Sequence, residues 1–174
     1  MKKILLISCI GSFCWLGSLG QSAWKFRSCN YVGILSGEAG NYGQLQSING
    51  LYKRVWFVGV GAGLDYYRFR SIPLFASVTR DLLSGKHGLY VTGDAGTNIP
   101  WYKRPSFGMA STFHAGLYWS GSLGYRFRIS QKGQALLLSV GYSYKELSED
   151  VKGYWAGLYR YHNDRASIKI GWRF

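Results

Sequence analysis

Apolar and polar positions alternate along most of this chain, and the last segment shows it most clearly. From Arg165 to Phe174, one face carries Ala166, Ile168, Ile170, Trp172 and Phe174, and the other Arg165, Ser167, Lys169, Gly171 and Arg173. Strict period two predicts a strand with one apolar and one polar face, because successive side chains of an extended chain point in opposite directions. Gln134 to Lys145 repeats the pattern, with Leu136, Leu138, Val140, Tyr142 and Tyr144 opposite Ala135, Leu137, Ser139, Gly141 and Ser143. So do Ala115 to Arg128 and Trp56 to Tyr66; Ile72 to Leu82 and Leu89 to Asn98 follow less cleanly, Tyr31 to Gly37 and Tyr42 to Leu51 more weakly. The fold class predicted is all-β: eight antiparallel strands, connected in sequence order.

The connections alternate in character. Tight links are expected near Tyr52 to Arg54, Ser84 to Lys86 and Ser130 to Gly133, and longer ones from Asn98 to Thr112 and Glu146 to Asp164. An even strand number with short turns at one end and longer loops at the other is the layout of an up-and-down transmembrane barrel. The direction of the apolar face separates that reading from a soluble, ligand-carrying barrel. The polar face carries Asp65, Asp94, Arg126, Arg128, Lys169 and Arg173 together with the Gly59, Gly61, Gly63 stripe. Charges and glycines suit the crowded inside of a narrow barrel, where Tyr90, Tyr118 and arginine stems fill the space left. The apolar face ends in aromatics at both extremes, as lipid-facing strands do: Trp56, Tyr125, Phe127, Trp172 and Phe174 at the short-turn end, Tyr66 and Tyr144 at the other.

Composition narrows the picture further. Aromatics make up 17% and glycine contributes 24 of 174 residues, which excludes a disordered chain and a helical bundle. Met1-Lys2-Lys3, the apolar run Ile4 to Leu16 and the small residues Ser18 and Gly20 form the three parts of a secretory signal peptide, predicted over residues 1–20 with the barrel domain over 21–174. The run is short of the ~20 residues a spanning helix needs. Its removal takes Lys2 and Lys3 from a net charge of +13 and leaves Cys29 as the one cysteine. No spacing of Cys and His suggests a metal site, and no cofactor motif is present. Gly59-Val-Gly-Ala-Gly63 lacks the third glycine spacing and the following helix of a dinucleotide fingerprint. Despite the positive charge, no nucleic-acid recognition motif occurs.

The signal peptide, the alternating strands and the closing Ile168-Lys-Ile-Gly-Trp-Arg-Phe174 resemble the small outer-membrane β-barrel family of Gram-negative bacteria. Gly59-Val-Gly-Ala-Gly-Leu-Asp-Tyr-Tyr67, Ile72-Pro-Leu-Phe75 and Gly93-Asp-Ala-Gly96 resemble the outer membrane protein beta-barrel domain within it. The resemblance implies an outer-membrane location, with Phe174 as the signal read by the barrel-assembly machinery and outer-membrane lipids and lipopolysaccharide as surroundings. It implies no single activity.

The functional expectation is therefore a non-enzymatic barrel that acts structurally or through its long extracellular loops on an unidentified partner. Lys103, Arg104, Tyr154, Trp155 and Tyr159 are the candidate contact residues, and Asp65, Asp94, Arg126, Arg128, Lys169 and Arg173 the candidate lumen network, with Asp81 a further partner for its cations. Lys145 is grouped with the loop cations. The alternatives are a lipid A deacylase or acyltransferase using His114, which lies close to Ser111 and Ser106, and a narrow gated pore. The deacylase His-x-Ser spacing is missing at both His114 and His162.

Overall fold

Following the strand register once around the molecule describes the architecture. In the computed structural model, Lys25 pairs with Tyr52, and the same line runs on through Phe57, Thr79, Thr92, Ser122, Gly141 and Ser167 to Leu35, re-entering the first strand ten residues from its start. The sheet is closed. With eight strands, this stagger and ordinary strand dimensions, the strands tilt by about 41° and the backbone lies about 8 Å from the axis. Residues 24–83, 85, 87–101, 110–130, 133–152 and 157–174 are described by the structure. The predicted signal peptide, 1–20, lies outside them.

The barrel strands are β1 (Lys25–Gly37), β2 (Gly40–Lys53), β3 (Trp56–Asp65), β4 (Ser71–Asp81), β5 (His87–Pro100), β7 (Gly116–Arg128), β8 (Ala135–Lys152) and β9 (Gly157–Arg173), with a short β6 (Ala110–His114) beside β8. All pairings are antiparallel between neighbours, and β9 closes onto β1. Every outward residue of β3 from Trp56 to Tyr66 is one the alternation assigned to the apolar face. At the derived tilt that stretch spans about 25 Å along the axis, the height of an outer-membrane apolar band. Val32, Val60, Leu123, Val140, Ile168 and Ile170 are all exposed on this wall.

The link around Glu38 is a tight turn, since Gly37 pairs with Gly40. Two features differ from the expectation. The stretch 145–164 is no loop: β8 and β9 stay paired from Glu146–His162 up to Val151–Gly157, so a hairpin continues beyond the barrel wall. The backbone ladder satisfies its own hydrogen bonds there, which a solvated loop of that length would leave to water. The sixth strand is broken. Tyr118 pairs with Lys145 but His114 with Ser148, so three residues of one strand face two of the other, a β-bulge at Ala115–Leu117.

Inside, Cys29, Ile48, Phe57, Phe75, Tyr90, Tyr118 and Leu137 form an apolar plug. The glycine stripe makes room for it: a Cβ on Gly61 would lie 2.4 Å from the Phe75 ring, and one on Gly124 2.2 Å from Tyr90.

Candidate functional site: a sealed charged lumen and a projecting hairpin

Alternation sends Asp65, Lys145 and Arg165 inward from three strands, and the register brings them to one level near the loop end. Asp65 Oδ2 accepts from Arg165 Nη1 and lies 3.3 Å from Lys145 Nζ, with all three side chains fully buried. Lys145 Nζ also donates to the carbonyls of Tyr67 and Phe69 and to Ser71 Oγ, each at 3.0 Å. Arg165 Nη2 donates to Ser143 Oγ at 2.9 Å, and the Tyr67 amide donates to Asp65 Oδ1 at 2.8 Å. Lys145 and Asp65 thus hold the backbone of residues 67–69, fixing that turn inside the barrel mouth, while Arg165 braces Asp65 from the Ser143 side.

The turn's aromatic side chains complete the seal. Tyr67 is 2% exposed, packs edge-on against Tyr42 at 5.4 Å, and its hydroxyl accepts from the Ala39 amide at 2.9 Å. Phe69 meets Phe113 at 5.3 Å and Tyr161 at 5.0 Å, and Arg68 stacks on Tyr161. Only tertiary packing makes this cap; the alternating run read from sequence stops at Tyr66, and neither Tyr67 nor Phe69 is marked there as a site residue.

Lower in the lumen, Asp94 accepts from Ser120 at 2.7 Å, and Lys169 reaches Gln46 at 3.3 Å, which in turn donates to Tyr118 at 2.9 Å. At the turn end Asp81 pairs with Arg126 and accepts from Tyr52 at 3.1 Å, while Arg27 stacks over the Tyr52 ring at 3.6 Å. Arg173 is buried beside them. Of the predicted lumen set, Asp65, Asp94, Arg126, Lys169 and Arg173 are buried inside and Arg128 is exposed at the rim. Lys145, grouped with the loop cations from sequence, is a correction: it is wholly buried against Asp65, because β8 is longer than its apolar alternation. Arg165 was visible on the polar face of the last strand, but nothing in the sequence marked it as Asp65's partner.

Between Tyr31, Tyr52, Phe57, Tyr90 and Arg173 a cavity of about 20 Å³ remains, room for about one water. Among the described residues no three His, Cys, Asp or Glu side chains gather as a metal site would need.

The projecting hairpin is the other candidate. Six residues separate Lys145 from Val151, roughly 20 Å along the strand. β6 covers one flank by pairing with Ser148–Lys152, while β9 pairs with β1 only as far as Ala166. The hairpin exposes Leu158 and Tyr159, and its base holds an Arg160–Glu146 pair at 3.4 Å. Tyr159 is therefore a strand residue, while Lys103, Arg104, Tyr154 and Trp155 lie outside the described residues. His114 sits exposed at the end of β6. His162 faces outward, its Nδ1 2.5 Å from the Tyr144 hydroxyl. Phe174 is exposed on the outer wall at the turn end.

No protein-family model matches the chain, and no curated protein does. Solved structures do. The N-terminal β-barrel domain of OprF from Pseudomonas aeruginosa is similar with a TM-score of 0.56 at 8% identity, over 87% of this chain and 100% of that one. Neisserial surface protein A gives 0.55 at 13% identity, over 89% and 98%. The outer membrane protein AlkL, whose structure was determined in lipid bilayers, gives 0.54 at 13%, over 90% and 93%. At these identities the likeness concerns the fold, and it agrees with the closed register and apolar wall: the protein is an eight-stranded β-barrel of the small outer-membrane type.

Proposed function

We propose that the protein is a non-enzymatic outer-membrane barrel that holds the β8–β9 hairpin, braced by β6, above the membrane as a contact surface for an extracellular partner. The observation behind this reading is the contrast between the two ends of β8. Its lower part packs into the charged, side-chain-filled lumen, while its upper part is spent on a paired element beyond the wall. Building a paired hairpin rather than a loose loop fixes Leu158, Tyr159 and Arg160 in position, which lowers the ordering cost of binding. In this reading the turn end faces the periplasm, Phe174 serves recognition by the assembly machinery, and Arg160 with the other loop-end cations lies near lipopolysaccharide phosphates.

The test replaces Glu149 to Tyr159 with a two-residue turn and follows two readouts in intact cells. Heat-modifiable gel mobility of the variant should match the wild type, because the deleted residues lie above the wall. Photo-crosslinks from a probe at position 158 to a second protein should form with the full hairpin and disappear with the turn. A full hairpin that yields no adduct would sink the contact role. The enzyme alternative is separated by His114→Ala: lipid A species resolved by mass should be unchanged, whereas a lost or new acyl form would replace this reading with catalysis.

A further inference from the structure

Among the described residues, the outward side chains in the middle of the wall are apolar or glycine apart from Thr97, whose hydroxyl donates to the Gly116 carbonyl at 3.2 Å, and one cluster on β1 and β2. On β1 the outward positions read Phe26, Ser28, Asn30, Val32 and Ile34, and on β2 they read Leu51, Asn49, Ser47 and Leu45. Apolar side chains stand above and below four polar ones, so the polar group lies within the band that faces hydrocarbon. Register makes them one patch: Ser28 is directly opposite Asn49, and Asn30 opposite Ser47. Asn49 is exposed and Asn30 and Ser47 half-exposed, while Ser28 is covered. Their mutual hydrogen bonds are long, Asn30 Nδ2 to Ser28 Oγ and Asn49 Nδ2 to Ser47 Oγ each at 3.5 Å. Each amide can make about four hydrogen bonds, and these contacts use one. Acyl chains offer nothing to the rest.

The patch is also built from the same three-residue unit twice, Ser28-Cys-Asn30 and Ser47-Ile-Asn49, running in opposite directions on neighbouring strands. The wall beside it is low, with Ala62 and Ala76 lining a shallow cleft that reaches Ser47 and Asn49. Polar side chains that hydrogen-bond across an interface, beside small residues that allow close approach, are the usual chemistry of contact between membrane-embedded surfaces.

We propose that this patch is a self-association surface, on which a second copy of the chain docks within the membrane through β1 and β2. The occupant follows from the symmetry of the pattern. Two copies inserted in the same sense that meet through this same patch do so about a two-fold axis along the membrane normal, which places β1 of one opposite β2 of the other. Asn30 of each copy then faces the Ser47–Asn49 pair of its partner at similar depth, and the reverse contact is identical. An amide and a hydroxyl each donate and accept, so like can satisfy like, and the interface is isologous. An unrelated partner would need its own matching donors and acceptors at that depth; a second copy brings them automatically.

The experiment uses the full mature barrel in phosphatidylcholine vesicles, with donor and acceptor dyes on an exposed loop-end position, diluted progressively with lipid. Wild-type energy transfer should persist at dilutions where random proximity gives none and should fit two copies. Asn30→Val with Asn49→Val should weaken association at least tenfold. Each variant is checked by heat-modifiable mobility, which should be intact because the substitutions make the wall more lipid-compatible; lost mobility in wild type would instead count against the barrel reading. In native membranes Ser47→Cys with a short bis-maleimide should give a band at twice the monomer mass, without interference from Cys29, which is 4% exposed and faces the lumen. Transfer at the random level, transfer that the double substitution leaves unchanged, or an adduct with a different protein would each overturn the proposal.

Discussion

Asp65 carries two buried cations by itself, and its removal should show it. Asp65→Ala leaves Lys145 and Arg165 without their carboxylate in a site closed to water, and breaking a buried pair this way costs about 3–5 kcal/mol. Urea unfolding in vesicles, followed by tryptophan fluorescence, should register a loss of that size. Replacing all three together, Asp65→Leu with Lys145→Met and Arg165→Met, should recover most of it, since a packed apolar trio carries no desolvation penalty. Gly124 is the second informative residue. Its missing Cβ is occupied by the Tyr90 ring, so Gly124→Ala should destabilise by about 1–3 kcal/mol, and Tyr90→Leu in the same chain should relieve part of the loss. Of these groups, Asp65, Gly124 and Tyr90 were legible from period two alone. Lys145 was not, because the alternating run ends there and the residue reads as bordering a loop; only pairing with β9 shows that the strand continues past it.

At the scale of the element, the bulge at Ala115–Leu117 decides where Phe113 points. Period two counted back from Leu117 puts Phe113 on the lipid side; the extra residue turns it inward against Phe69. A register slip of one residue reverses every side chain beyond it, and a bulge does the same locally. Deleting Ala115 should therefore regularise the ladder without changing its partners, since His114 then takes the place opposite Ser148 in the register of β7. Hydrogen exchange of Ala110 to His114 should slow, and Phe113 should stay inside. Faster exchange there would mean that the bulge stabilises β6 rather than interrupting it. The hairpin above the wall is legible only in hindsight: Tyr159, Tyr161 and Asn163 alternate with Leu158, Arg160 and His162, but with no apolar face to separate a strand from a polar loop.

At the scale of the molecule, eight strands staggered by ten residues set a radius that side chains fill. The aromatic cap, the Asp65 cluster and the apolar plug occupy successive levels, and the cavity among the lower residues holds about one water. Purified protein in a planar bilayer should accordingly show no stepwise conductance; discrete openings would require the plug or the 67–69 turn to move and would revive the gated-pore alternative. The excess of cations over carboxylates is visible at the turn end, where Asp81 pairs with Arg126 while Arg27 stacks on Tyr52 and Arg173 is buried nearby.

The sequence by itself determined the number of barrel strands and the two faces of each, because side-chain direction in an extended chain depends only on position parity. The charges and glycines on one face, with aromatics at the ends of the other, pointed the apolar face outward. It also named most of the charged lumen residues. The tertiary structure alone decided which charges meet, since Asp65 and Arg165 are brought together by closure of the sheet rather than by any local spacing. It decided the cap, the bulge and the hairpin too, because each depends on which strand lies alongside, and a single strand's alternation carries no information about its neighbour.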